Sequence, residues 1–160
     1  MDTTFYLFRH ALATRSKNGY GDKILTAEII PDEIGPIEKI ATFLKKIKNS
    51  QNIRSELKRC EQTTEIITQI TGKQFSTDAR LNEYYQENFQ QFSARIFEWL
   101  NQTLANEPEN LIICTHGSII AGIKNFILLN NFPKNKLYDY PECGELLIIK
   151  ERKVQTINFN

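Results

Sequence analysis

Thr4-Phe5-Tyr6-Leu7-Phe8-Arg9-His10-Ala11 decides how the rest of the chain is read. Five residues rich in aromatic and aliphatic side chains end in a guanidinium and an imidazole. A short apolar run of this kind forms a buried strand. Leu12 and Ala13 follow, and then a polar segment, Thr14 to Asp22, with two glycines. Arg9 and His10 are therefore expected where a buried strand emerges into a loop. Ligands of parallel sheets bind in the crevice at the carboxyl ends of the strands. Taken alone, such a pair is more often a strand end capped against solvent than a site.

The same arrangement occurs a second time. Leu111-Ile112-Ile113-Cys114 is the strongest strand signal in the chain, and Thr115-His116-Gly117-Ser118 follows at once. Ile119-Ile120, Ile123 and Phe126-Ile127 then recur at helical spacing. The chain holds only two histidines, and both fall at the ends of expected strands.

Between these strands the period alternates. Ile34, Ile37, Ala41, Leu44 and Ile47 mark a helix that starts at Pro31 or at Gly35-Pro36. Gln51 to Ser55 is a short, weak strand. A second helix carries Leu57, Cys60, Thr64, Ile67 and Ile70, and Gly72 closes it. Arg59 lies near that helix's N-terminus, where unpaired backbone N–H groups attract anions; by itself it reads as a solvated arginine. Phe75 to Leu81 connects, with room for a short strand. Asn88 caps a third helix whose stripe, Phe89, Phe92, Ile96, Trp99-Leu100 and Thr103-Leu104, reads as core. Leu146 to Ile149 and Val154 to Phe159 form a terminal hairpin. Strands alternating with helices predict an α/β three-layer sandwich. Its central sheet is mainly parallel, covered by helices on both faces, with the C-terminal hairpin at the sheet. No linker divides residues 1–160, so a single domain is expected.

Composition narrows the function classes. Twenty Lys and Arg against 19 acidic residues give a net charge of +1, which disfavours a nucleic-acid or anionic-membrane partner. No apolar stretch is long enough to span a bilayer, and no leader is expected. Cys60, Cys114 and Cys143 are odd in number and lack metal or disulfide spacing, which suits a reducing, cytoplasmic location.

Phe8-Arg9-His10-Ala11, Ser55 to Thr63 (Ser-x-x-x-Arg-x-x-Gln-Thr), Leu81-Asn82-Glu83 and Thr115-His116-Gly117 together resemble the histidine phosphatase superfamily, with the phosphoglycerate-mutase-like fold. The resemblance runs from residue 5 to about residue 149. It implies that His10 is the nucleophile, that Arg9, Arg59 and His116 hold the phosphoryl oxygens, and that Glu83 is the general acid, with Glu87 as the alternative. Ser16, Asn18 and Gly117 are possible secondary contacts. It implies no metal and no cofactor. The expected substrate is a phosphorylated small molecule or phosphoprotein, hydrolysed through a phosphohistidine. Phosphoglycerate-mutase-type transfer and a non-catalytic phosphate-binding module are the alternatives. The short length resembles phosphohistidine phosphatases and implies an open site. Three departures stand out. Ala11 replaces the family glycine and would be strained at positive φ. Ser16 stands where mutase-like members carry Asn. Glu56 puts an acid near the phosphate. The sequence leaves the oligomeric state open.

Overall fold

The computed structural model describes residues 2–15 and 18–160. Six strands and four α-helices alternate: β1 (Thr4–Arg9), α1 (Gly35–Leu44), β2 (Ser50–Arg54), α2 (Lys58–Thr71), β3 (Ser76–Thr77), α3 (Phe89–Leu104), β4 (Asn110–Thr115), α4 (Gly117–Leu129), β5 (Glu145–Lys150) and β6 (Lys153–Asn158). The sheet order is β3-β2-β4-β1-β5-β6. The first four strands run parallel, and β5 and β6 join antiparallel.

Alternation along the central strands divides the core in two. Phe5, Leu7, Leu111 and Ile113 face one side and pack with Phe92, Ile96 and Trp99 of α3 and Ile119, Ile120 and Ile123 of α4. Tyr6, Phe8, Ile112 and Cys114 face the other side and meet Ile37, Ile40 and Leu44 of α1 and Cys60 and Ile67 of α2. Strands apolar on both faces must be covered on both, so the three layers follow directly from β1 and β4.

Helix ends follow local chemistry. Pro31 opens a separate 3₁₀ turn, and α1 itself starts at Gly35 with Pro36 in its first turn, where no backbone donor is lost. Gly72 takes φ 75° and ends α2. Asn88 caps α3 through a reciprocal capping box with Gln91. The β5–β6 hairpin turns on Glu151 and Arg152, both at positive φ, without the usual glycine.

Candidate active site

Register brings the two histidines together. In the parallel β1–β4 pair, Arg9 stands opposite Thr115. The next residue on each strand is a histidine, and His10 N–H donates to the Thr115 carbonyl at 3.3 Å. The two imidazole centroids are 5.4 Å apart. Both rings are buried at the carboxyl ends of adjacent strands.

The β2–α2 loop supplies the third group. Ser55 N–H donates to the Cys114 carbonyl, which docks the end of β2 against β4. Arg59, the second residue of α2, is then carried beneath both histidines and is fully buried. Its Nε donates to His10 Nε2 at 3.2 Å, its Nη1 to the Ile24 carbonyl at 2.5 Å, and its Nη2 to Glu83 Oε2 at 3.3 Å. Thr63, one turn along α2, links the two motifs: its hydroxyl accepts from Ala11 N–H at 2.9 Å and donates to the Arg59 carbonyl at 2.7 Å. Thr63 lies within the Ser55–Thr63 motif, and its role depends on Ala11, a partner 52 residues away in the chain.

Partners fix the tautomer of His10. Nδ1 lies 2.8 Å from the Ala11 carbonyl, which can only accept, so Nδ1 carries the proton. Nε2 therefore keeps its lone pair, consistent with its accepting from Arg59. The ring stays neutral: burial first, then the positive charge of Arg59, push its pKa down to about 3. His116 is likewise lowered well below the ordinary histidine value by burial, then by His10 and Arg59.

Glu83 arrives from the segment before α3. Thr115 Oγ1 donates to the Leu81 carbonyl at 2.6 Å, and Asn82 Oδ1 accepts from Ser55 Oγ and Glu56 N, both at 2.9 Å. Arg95 of α3 braces the same segment by donating to the carbonyls of Arg80, Asn82 and Glu83. The outcome puts Glu83 Oε2 at 3.4 Å from His116 Nδ1. Glu87 goes elsewhere: its carboxylate is clasped by Arg95, with the shortest contact 2.6 Å. Glu56 is exposed, and Asn82 Nδ2 donates to it at 3.1 Å, so this acid is drawn to Asn82.

His116 Nε2 lies 2.8 Å from Ser55 Oγ and 3.8 Å from Cys60 Sγ. Its Nδ1 approaches Glu83 without the alignment of a hydrogen bond. Among the described residues, His116 Nδ1 and Arg9 Nε are the two buried side-chain nitrogens that lack a hydrogen-bond partner. Such groups are rare in folded proteins.

Two aromatic rings cover the guanidiniums. Tyr20 lies over Arg59 at 4.4 Å and edge-on to His10, and Tyr140 lies over Arg9 at 5.1 Å. Gly117 makes the second cover possible, since a Cβ there would sit 2.7 Å from the Tyr140 ring. The site is thus not open as expected from the chain's length: His10, His116 and Arg59 are at most 1% exposed. Side chains from two loops do the covering, and neither tyrosine carries a motif. Ala11 is not among the residues at positive φ, so the strain expected there is absent. Asn18 is exposed in a turn and makes no hydrogen bond to these groups; Ser16 lies outside the described residues.

Comparison with known proteins sets this arrangement in context. No curated protein matches the sequence. The fold is shared with solved structures of low identity. An α-ribazole phosphatase from Shigella flexneri is 15% identical over 97% of this chain and 95% of its own, with TM-score 0.76. A phosphoglycerate mutase from Bacillus anthracis is 12% identical over 98% and 92%, with TM-score 0.70. The protein histidine phosphatase SixA, complexed with tungstate, is 11% identical over 96% and 94%, with TM-score 0.67. A family model described as histidine phosphatase superfamily (branch 1) matches residues 5–86, which span β1 and the first three of the four motifs. With more than half of its length matched, the chain belongs to the histidine phosphatase superfamily, branch 1.

Proposed function

We propose that the chain hydrolyses phosphomonoesters, or phosphate borne on a protein, through a covalent phosphohistidine at His10 Nε2. Glu83 acts first as general acid and then as general base. The observation that carries this is the buried His10 ring with its Nε2 lone pair facing the Arg59 guanidinium, the His116 ring 5.4 Å away, and Glu83 within 3.4 Å of both Arg59 and His116.

A neutral imidazole approaches a dianionic ester without charge repulsion, and the low pKa of His10 keeps it neutral. The Arg59 N–H that covers Nε2 in the free protein is drawn to the incoming oxygens, which releases the lone pair. Ser55 Oγ–H donates to Asn82 Oδ1, so Ser55 Oγ accepts from His116 Nε2–H, and Nδ1 donates to those oxygens once the bound dianion draws a second proton onto the ring. In-line attack forms the N–P bond and breaks the bond to the leaving oxygen, which takes its proton from Glu83. The resulting carboxylate then removes a proton from water, whose oxygen attacks phosphorus and frees His10. Positioning and electrostatic stabilisation supply most of the rate in such transfers. The free thiols of Cys60, Cys114 and Cys143 fit work in a reducing, cytoplasmic setting.

Hydrolysis of an alkyl phosphate, glycerol phosphate, by the wild type, His10→Ala and Glu83→Gln tests this. Loss of nearly all turnover in His10→Ala is expected, and roughly a 10²–10⁴-fold loss in Glu83→Gln. Equal rates in all three would end the enzymatic reading. Faster turnover of phosphoglycerate isomers into one another than into free phosphate would select the mutase reading instead.

A further inference from the structure

Glu83 has two oxygens with different surroundings. Oε2 faces the reactive groups, 3.3 Å from Arg59 Nη2 and 3.4 Å from His116 Nδ1. Oε1 is turned away and accepts two hydrogen bonds. Ser118 Oγ donates at 3.0 Å and Tyr84 N–H at 3.2 Å. Ser118 is the second residue of α4, two positions beyond His116, and is half-buried. The strand–helix junction that delivers His116 therefore also delivers a hydroxyl to the carboxyl group.

Resting on the general-acid role assigned to Glu83, we infer that Ser118 is a positioning residue for that acid. A free Glu side chain exchanges its two oxygens by rotating about its last bond, a broad and nearly two-fold torsion. Two donors on Oε1 remove that freedom. They hold Oε2 toward Arg59 and His116 and leave it as the oxygen that carries the transferable proton. Tyr84 contributes through its backbone, which no side-chain substitution removes, and the stacking of Tyr84 on Phe92 at 4.2 Å fixes that peptide. Ser118 is the half of the anchor that mutation can test.

A group that steers the acid matters only when the leaving oxygen needs a proton. An alkoxide such as that of glycerol is a poor leaving group and must be protonated as the bond breaks. A dinitrophenolate is stable as an anion and needs no acid. The value of kcat/KM, which reports steps up to the first phosphoryl transfer, should therefore respond to Ser118 with one ester and not the other.

The test compares wild type, Ser118→Ala, Ser118→Thr and Glu83→Gln on glycerol phosphate and dinitrophenyl phosphate. A hydrogen bond to a charged group lost in the transition state is worth about tenfold or more in rate. Ser118→Ala should lose about tenfold in kcat/KM on the alkyl ester and stay within about twofold on the aryl ester. Ser118→Thr, which keeps a hydroxyl, should restore the alkyl rate. Equal losses on both esters, or no loss on either, would overturn the role given to Ser118 while leaving that of Glu83 intact, provided Glu83→Gln shows the selective loss. If Glu83→Gln shows none, the failure lies with the general acid itself.

Discussion

Acidification should weaken this fold through His10, and the size of the effect follows from its burial. The folded ring takes up a proton only near pH 3, whereas in the unfolded chain it does so at the ordinary value of 6.5. Between these limits the unfolded state binds the extra proton. Stability is therefore fully present above pH 6.5 and is lost as the pH falls toward 3. From pH 6.5 to about 4.5 the integrated penalty for one such histidine is about 2 kcal/mol, a sizeable part of the ~5–15 kcal/mol that holds a domain together. His116 is shifted in the same direction and adds to the loss. Asp78 and Asp139, both lowered by their cationic partners against the effect of burial, lose their contributions only on further acidification. Urea denaturation of wild type and His10→Gln at both pH values isolates the His10 share, because every other group acts in both proteins. The wild type should lose about 2 kcal/mol more than the variant. Equal losses would mean that His10 titrates normally in the folded state, and a neutral nucleophile at low pH would have no basis.

Other substitutions read out separate parts of the site. Arg59→Met removes a fully buried guanidinium that reaches both His10 and Glu83; kcat/KM should fall roughly 10²–10³-fold, and a steady-state assay that finds less than a tenfold drop would contradict the clamp. Gly117→Ala drives a methyl group into the Tyr140 ring, so the ring must leave Arg9; a loss of about 1–3 kcal/mol in stability is expected by denaturation, together with altered KM. Glu87→Gln breaks the clasp with Arg95, whose other bonds brace the Glu83 segment; thermal melting should drop by a few degrees while the leaving-group dependence of hydrolysis stays that of the wild type. Ser55→Ala removes the hydroxyl that holds His116 Nε2 and should cost about tenfold in kcat, visible with any ester.

Much of this arrangement was legible in the chain because it is encoded locally. Phe5 to Phe8 and Leu111 to Cys114 are apolar on both faces, as central strands are, and Arg9-His10 and Thr115-His116 follow them at the carboxyl end of the sheet. The resemblance implied that His10 and His116 meet, whereas the β1–β4 pairing and register that bring them together are seen only in the fold. The Asn88 cap and the Gly72 stop were legible because they too are local. What was not legible depends on contacts distant in sequence. Nothing near Glu87 announces that Arg95 will bind it, and Arg95 itself braces three carbonyls it meets only after α3 packs. Thr63 and Ser55 sat in a recognised stretch, but their hydroxyl partners come from Ala11, Asn82 and His116. Tyr20 and Tyr140 lie in loops whose path is set by the Ile24 carbonyl on Arg59 and by the absence of a side chain at Gly117. Expecting an open site from a short chain overlooked that two rings suffice to close one.

The most direct test is to trap the intermediate. The protein is mixed with radiolabelled aryl phosphate, quenched in base, where phosphohistidine survives, and digested for mass spectrometry. Label on the peptide containing His10, lost on acid treatment and absent from His10→Ala, is the predicted result. Turnover without label on that peptide, or label on a serine or cysteine instead, would contradict it.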